Sequence, residues 1–205
     1  NLIKFLIYFL NILICNMKNI YLTRHGESEY NLLNKIGGNS NLSEKGKLYS
    51  KKLGNYINNL QLNTPVYTST LIRTINTGKY IKLDKIELPI LNEINAGICE
   101  HLTYSQIQDK YPEEYSKRKI DKLNYRYFQG ESYKDLIHRL KPIIDIIENN
   151  DIILIIAHQA ILRVIYGILT HKKESEYPNL DIQLHTLINL EINNEKIIEN
   201  RIKLI

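Results

Sequence analysis

Tryptophan is absent from the 205-residue chain, methionine occurs once, and cysteine occurs only at Cys15 and Cys99. Two cysteines build no disulfide framework, so a reducing compartment is expected, and a cytoplasmic location follows. The lack of tryptophan beside 15 tyrosines reads as compositional drift and carries no functional weight. Several signatures are missing as well. There is no HExxH, no paired CxxC and no GxxxxGK[ST] phosphate loop, so neither a metal nor another cofactor is signalled. Beyond residue 18 the chain carries no Pro/Gly/Ser-rich linker, repeat or low-complexity tract, as expected of one domain over 18–205. The net charge of +5 comes from scattered residues; without a basic stripe or a nucleic-acid motif, nucleic acid is not an expected partner. The apolar stretch 2–15 holds Lys4 and Asn11 and is shorter than the roughly 20 residues of a membrane-spanning helix, so no membrane is expected either. Residues 5–10 fit a buried β-strand, within an N-terminal segment 1–17 set apart from the domain.

An apolar fraction of 43% and a charged fraction of 24% describe an ordinary folded domain. Its pattern alternates. Ile20 to Thr23 reads as a short strand, 43–60 as a helix opened by Ser43, and Val66 to Thr68 as a strand leading into a helix over 70–81. A strand from Ile86 to Ile90 and two short helices, 103–109 and 113–119, separated by Pro112, follow. Leu136, Leu140, Ile143, Ile144 and Ile147 predict one helix over 132–148. Ile152 to Ile156, apolar throughout, reads as a strand buried on both faces, followed by a helix from His158 to about Leu169. A hairpin, 184–191 with 195–203, turns around Asn193-Asn194. The alternation predicts an α/β fold of three layers, a mostly parallel sheet with helices on both faces.

The polar residues gather at strand ends. Arg24-His25-Gly26 and His158-Gln159 each follow an apolar strand, and Arg73 lies a few residues past a third. In open α/β sheets ligands bind at that edge. A neutral imidazole with one ring nitrogen tied up is a competent phosphoryl acceptor, and guanidinium groups suit the equatorial oxygens.

The string YLTRHGESEYN at 21–31 resembles the signature of the histidine phosphatase (phosphoglycerate mutase-like) superfamily. The similarity continues through KIGGNSNLSEKGK at 35–47, STLIRTINT at 69–77 and LNEINAGICEHLTYSQIQDKYPEEY at 91–115. It resumes in NYRYFQGESYKDLIHRLKP at 124–142, IIAHQAILR at 155–163 and LHT at 184–186. Within the superfamily the chain is most similar to the fructose-2,6-bisphosphatase half of bifunctional 6-phosphofructo-2-kinase/fructose-2,6-bisphosphatase. The resemblance implies a phosphoglycerate mutase-like fold and hydrolysis of a phosphorylated sugar, the 2-phosphate of fructose 2,6-bisphosphate, through a phosphohistidine. His25 would be the nucleophile, Arg24, Arg73, His158 and Asn31 the phosphoryl ligands, and Glu100 the acid and base. Tyr111, Arg126, Gln159, Arg163 and, less directly, Arg139 would contact the sugar and its 6-phosphate, with Gly37 allowing backbone approach. The family's basic residue before GESY is replaced by Gln129, and Phe128 stands for its usual Pro, which puts bisphosphate affinity in question. A broad-range histidine phosphatase, a phosphoglycerate mutase (disfavoured by AHQA) and a silent interaction module are the alternatives. The segment 5–14 loosely resembles the last strand of a kinase domain, which implies a covalently linked N-terminal kinase partner in a longer protein.

Overall fold

The computed structural model describes residues 17–193 and 196–205. The strand expected at residues 5–10 and Asn194 of the expected turn lie outside them. Six strands form one sheet in the order β3-β2-β4-β1-β5-β6. They are β1 (Lys18–Arg24), β2 (Val66–Thr68), β3 (Lys85–Glu87), β4 (Ile152–Ala157), β5 (Thr186–Ile192) and β6 (Ile197–Lys203). β1, β2, β3 and β4 run parallel, while β5 and β6 pair antiparallel along the β1 side.

The eight helices described are α1 (Glu29–Leu32), α2 (Glu44–Asn59), α3 (Ile72–Thr77), α4 (Tyr104–Lys110), α5 (Pro112–Ile120), α6 (Tyr133–Arg139), α7 (Lys141–Glu148) and α8 (Gln159–Leu169). Alternation along β4 explains the three layers. Ile153, Ile155 and Ala157 pack with Leu136, Leu140, Ile147 and Ile161 from α6, α7 and α8. Leu154 and Ile156 face the opposite way, onto Tyr49, Leu53 and Ile57 of α2. A strand covered on both sides must be apolar at every position, as this one is. A third, smaller cluster of Ala96, Cys99, Ile107 and Tyr127 holds a lobe built from α4 and α5 beside the sheet edge. Among the described residues no helix is long and apolar enough to cross a membrane.

Three expected elements need correction. The helix over 132–148 is two helices, broken at Leu140, whose N–H already closes onto His138 and Leu136 carbonyls. Pro142 lacks the N–H that a continuous helix needs at that point and sits instead in the first turn of α7. The apolar stripe survives the break because both halves press on the same core. The strand expected at Ile86–Ile90 stops at Glu87, and Pro89 opens a 3₁₀ turn, Pro89–Leu91, that buries Leu91. The helix expected over 70–81 spans only Ile72–Thr77 and ends at Gly78. Pro112 does more than separate two helices: it opens α5 at its first turn.

Candidate active site

β1 and β4 are parallel neighbours in register, Arg24 opposite Ala157, so both chains leave the sheet side by side. The His25 N–H still donates to the Ala157 carbonyl at 3.0 Å. That adjacency brings the His25 and His158 rings to 5.2 Å between centroids, tilted by 55°. β2, on the other flank of β4, ends at Thr68 and delivers Ser69 and then Arg73 from α3. Three strand ends thus converge on one cavity of about 280 Å³.

The His25 ring has a fixed tautomer. Its Nδ1 lies 2.7 Å from the Gly26 carbonyl oxygen, which can only accept, so the proton is on Nδ1 and the Nε2 lone pair is free. Burial lowers the His25 pKa well below its usual value, reinforced by the Arg73 and Arg24 charges, which keeps the ring neutral. His158 is buried too, with its pKa lowered well below normal by burial first and then by Arg73 and His25. Its Nε2 lies 2.8 Å from the Ser69 hydroxyl, and its Nδ1 is buried without a protein partner. The Arg24 Nε is likewise buried and unpartnered, while one Arg24 terminal nitrogen donates to the Ile182 carbonyl. Burial lowers the Arg24 guanidinium to about 10, partly offset by Glu93. An unpartnered N–H on the buried Arg24 cation and an unpartnered nitrogen of the His158 ring, beside the free imidazole nitrogen of His25, form a receptor for a tetrahedral anion.

Close backbone packing sets this arrangement. A Cβ on Gly26 would lie 2.6 Å from the Gly46 carbonyl oxygen, and a Cβ on Gly46 would lie 2.0 Å from that of Glu27. Helix α2 therefore presses directly against the loop that carries His25.

The cavity brings together Arg24, His25, Asn31, Gly37, Arg73, Gln159 and Arg163 of the expected set, and His158 backs it against His25. Asn31 accepts from the Ser28 N–H through its Oδ1 at 2.9 Å, so a donor is what it can offer a ligand. Arg73 donates to the Gly38 carbonyl at 2.7 Å. Four other residues are not among those lining the cavity. Tyr111 packs into the small tyrosine-rich cluster. Arg126 is exposed and ion-paired with Asp135. Arg139 is held by Glu131 at 2.9 Å and by the Ile90 and Asn92 carbonyls.

The fourth is Glu100. Its Oε1 accepts from the Ala96 N–H at 2.8 Å and its Oε2 from the Gly38 N–H. The carboxylate also fills the place of the missing Gly37 side chain, where a Cβ would sit 1.9 Å from Oε2. Gly37, at φ +67°, makes room for a carboxylate that ties two loops together. Glu93 is the acidic residue among those lining the cavity. Its Oε1 takes the Ile94 N–H and, at 3.2 Å, the Ala160 N–H at the start of α8, which leaves Oε2 for a ligand. The resemblance implied Glu100 as the acid, and nothing in the sequence alone sets Glu93 ahead of it. Only the direction of each carboxylate separates them.

A second cationic group was also missed. Arg118 and Lys122, from α5 and the turn after it, join Arg163 of α8 in lining the cavity, as do Tyr104, Tyr127 and Tyr133. Arg118 stacks over the Tyr104 and Tyr127 rings, at 5.2 and 5.5 Å. Burial, together with Arg163 and Arg118, lowers the Lys122 ammonium to about 8. Three cations crowded this way call for an anion. Gln129 and Phe128 are exposed and not among the lining residues.

The buried imidazoles make stability pH-dependent. In the unfolded chain each takes a proton near the ordinary 6.5, whereas the folded chain resists it well below that value. The unfolded state therefore binds more protons as pH falls below about 6.5, and each group costs up to about 1.4 kcal/mol per pH unit. Thermal unfolding of the protein without ligand should show Tm level above pH 7 and falling steadily from pH 6.5 to 5. A Tm that stays level over that interval would contradict neutral buried rings.

The family model described as histidine phosphatase superfamily (branch 1) matches residues 20–204. Among curated relatives, 6-phosphofructo-2-kinase/fructose-2,6-bisphosphatase of Aquarana catesbeiana is 44% identical over 185 residues. Fructose-2,6-bisphosphatase of Saccharomyces cerevisiae is 46% identical over 176 residues. These alignments cover 90% and 85% of this chain but only 39% of either relative's length. Among solved structures, a putative alpha-ribazole-5'-P phosphatase from Escherichia coli superposes with a TM-score of 0.80 at 19% identity, covering 91% of this chain and 96% of that one.

Proposed function

The chain belongs to the histidine phosphatase superfamily, and on that premise we propose that it hydrolyses the 2-phosphate of fructose 2,6-bisphosphate, giving fructose 6-phosphate and phosphate. The observation that carries this reading is a single cavity lined by two groups of cations: Arg24 and Arg73 acting on the histidine pair, and Arg118 and Arg163 crowding Lys122. A monophosphate needs only the first. The names and identities of the two curated relatives support the same substrate.

In the first step the His25 Nε2 lone pair attacks phosphorus as the bond to the fructose 2-oxygen breaks. Arg24, Arg73, Asn31 and the unpartnered His158 nitrogen receive the three equatorial oxygens. The departing oxygen takes a proton from Glu93, which replaces Glu100 in that role because the Glu100 oxygens are committed to backbone N–H groups. In the second step Glu93, now a carboxylate, takes a proton from water, the water oxygen attacks phosphorus, and His25 leaves. Gln159, Arg163, Arg118 and Lys122 hold the sugar and its 6-phosphate, with the Tyr104 and Tyr133 hydroxyls beside them.

Phosphate release from fructose 2,6-bisphosphate, 3-phosphoglycerate, 2,3-bisphosphoglycerate and an aryl phosphate tests the assignment. Strong preference for fructose 2,6-bisphosphate is expected, and comparable slow turnover of all four would mean a broad phosphatase. Arg118→Ala and Lys122→Ala should each raise KM for the sugar bisphosphate by about 10- to 100-fold, a loss of about 1.5–3 kcal/mol per charged contact. Neither should change turnover of the aryl phosphate.

The 6-phosphofructo-2-kinase part of the Aquarana catesbeiana relative's name and the 39% coverage support a kinase domain linked to the phosphatase domain, 18–205, in a longer protein. Mass spectrometry of the native N-terminus tests this, and a mature chain starting at Met17 would defeat it. The buried free thiol of Cys99 fits a reducing cytoplasm.

A further inference from the structure

One motif of the sequence, the Leu-His-Thr at 184–186, takes no part in the chemistry above, yet its histidine reaches the nucleophile's loop. His185 is buried at the start of β5, its ring 5.1 Å from that of Tyr49. Its Nε2 lies 3.1 Å from the Glu27 backbone nitrogen. A backbone N–H can only donate, so this ring nitrogen accepts and the ring is the neutral Nδ1–H form. Burial lowers the His185 pKa, assisted by Lys45, which favours that form.

The Glu27 nitrogen belongs to the same peptide unit as the Gly26 carbonyl, and that carbonyl accepts the His25 Nδ1 proton at 2.7 Å. One planar group thus links the two histidines: imidazole acceptor, N–H, C=O, nucleophile. We propose that His185 is a positioning residue for the phosphoryl transfer, holding the Gly26–Glu27 peptide so that its carbonyl locks His25 in the tautomer with a free Nε2.

The rest of the loop explains why the peptide needs this anchor. The Gly26 N–H is held by the Thr77 hydroxyl at 2.8 Å, and the Glu27 carbonyl accepts from the Ser43 N–H at 2.9 Å. Those bonds fix the flanking peptides, one on each side. The intervening unit follows a glycine, the residue about which a peptide turns most easily, and the two groups fixing it are the imidazoles themselves. Without the acceptor at His185, the N–H would turn toward another partner and carry the carbonyl off Nδ1. His25 would then be free to move its proton to Nε2, the atom that must attack. Consecutive hydrogen bonds through one amide also polarise each other, so an acceptor on the N–H strengthens the carbonyl's hold on Nδ1–H.

The inference rests on His25 as the phosphoryl acceptor, so its test includes a readout that does not depend on turnover. Nitrogen-15 spectra of the histidine rings report the tautomer directly. His185→Gln keeps an acceptor near the Nε2 position, whereas His185→Phe keeps the ring shape and removes it. Wild type and His185→Gln should show His25 protonated at Nδ1, and His185→Phe should show mixed tautomers. With p-nitrophenyl phosphate as probe, the rate of His25 labelling should fall about 10- to 100-fold in His185→Phe, the scale of a small misplacement of a reacting group. It should stay within about threefold of wild type in His185→Gln. An unchanged tautomer and labelling rate in His185→Phe would overturn the proposal, as would equal loss in a folded His185→Gln. If His185→Phe does not fold, His185→Gln decides alone: retained Nδ1–H and labelling uphold the proposal, and their loss ends it. A wild type that holds the Nδ1–H form yet never labels would instead sink the phosphatase reading and leave the positioning contact standing.

Discussion

Replacing His25 by Ala is expected to lower phosphate release by about 10⁴-fold or more, the scale seen when a covalent nucleophile is removed. The same change should abolish acid-labile labelling of the protein by substrate phosphate. The reason is geometric. His158, the other imidazole at the site, already places its Nε2 on Ser69, and its remaining nitrogen belongs to a ring with no carbonyl to hold the opposite proton. It cannot stand in for a ring whose Nδ1–H is fixed by Gly26. The cationic receptor survives the change, since Arg24 and Arg73 are held by Ile182 and Gly38 carbonyls. Vanadate should therefore still raise Tm, although by less than in wild type, where it gains a bond to Nε2. A His25→Ala variant that labels normally would put the nucleophile elsewhere.

The second large effect separates two glutamates. Glu93→Gln should slow turnover of fructose 2,6-bisphosphate by about 10²- to 10⁴-fold, the range assigned to general acid–base catalysis. The aryl phosphate should be affected far less in its first step, because a nitrophenolate leaves without a proton. Its phosphohistidine should then accumulate, since the same carboxylate activates water. Glu100→Gln should behave differently. An amide loses one of the two acceptor oxygens now used by Ala96 and Gly38, so stability should fall by about 1–3 kcal/mol. Losses at the two substrates should then be similar, reflecting a displaced Gly37 loop. If Glu100→Gln instead discriminates by leaving group and Glu93→Gln does not, the acid is Glu100.

Much of this protein is legible in its sequence. The all-apolar run at 152–156 required a strand covered on both faces, because its length is that of a strand and every position is apolar. The chain ends of such strands told where Arg24, His25 and His158 would gather. The double helix over 132–148 was misread as one, since the apolar period continues through Leu140 while Pro142 acts on the backbone, which periodicity does not record.

Two of the cations illustrate a different limit. Nothing in the sequence marks Arg118 and Lys122 as ligands; the folding of the small lobe brings them to the cavity that Arg163, already implied by the resemblance, also lines. Gln129 shows the converse: the resemblance suggested a lost phosphate contact there, yet the turn at φ +59° leaves it exposed. Strand burial and strand-end chemistry are local properties, and from them come the three layers and the gathering of Arg24, His25 and His158 at one sheet edge; their roles were implied by the resemblance. Folding decides that Glu93 and not Glu100 is among the residues lining the cavity, that Arg118 and Lys122 join Arg163 there, and that His185 reaches the peptide of Gly26. Those are matters of direction and distance between segments that are remote along the chain, and no local pattern encodes them.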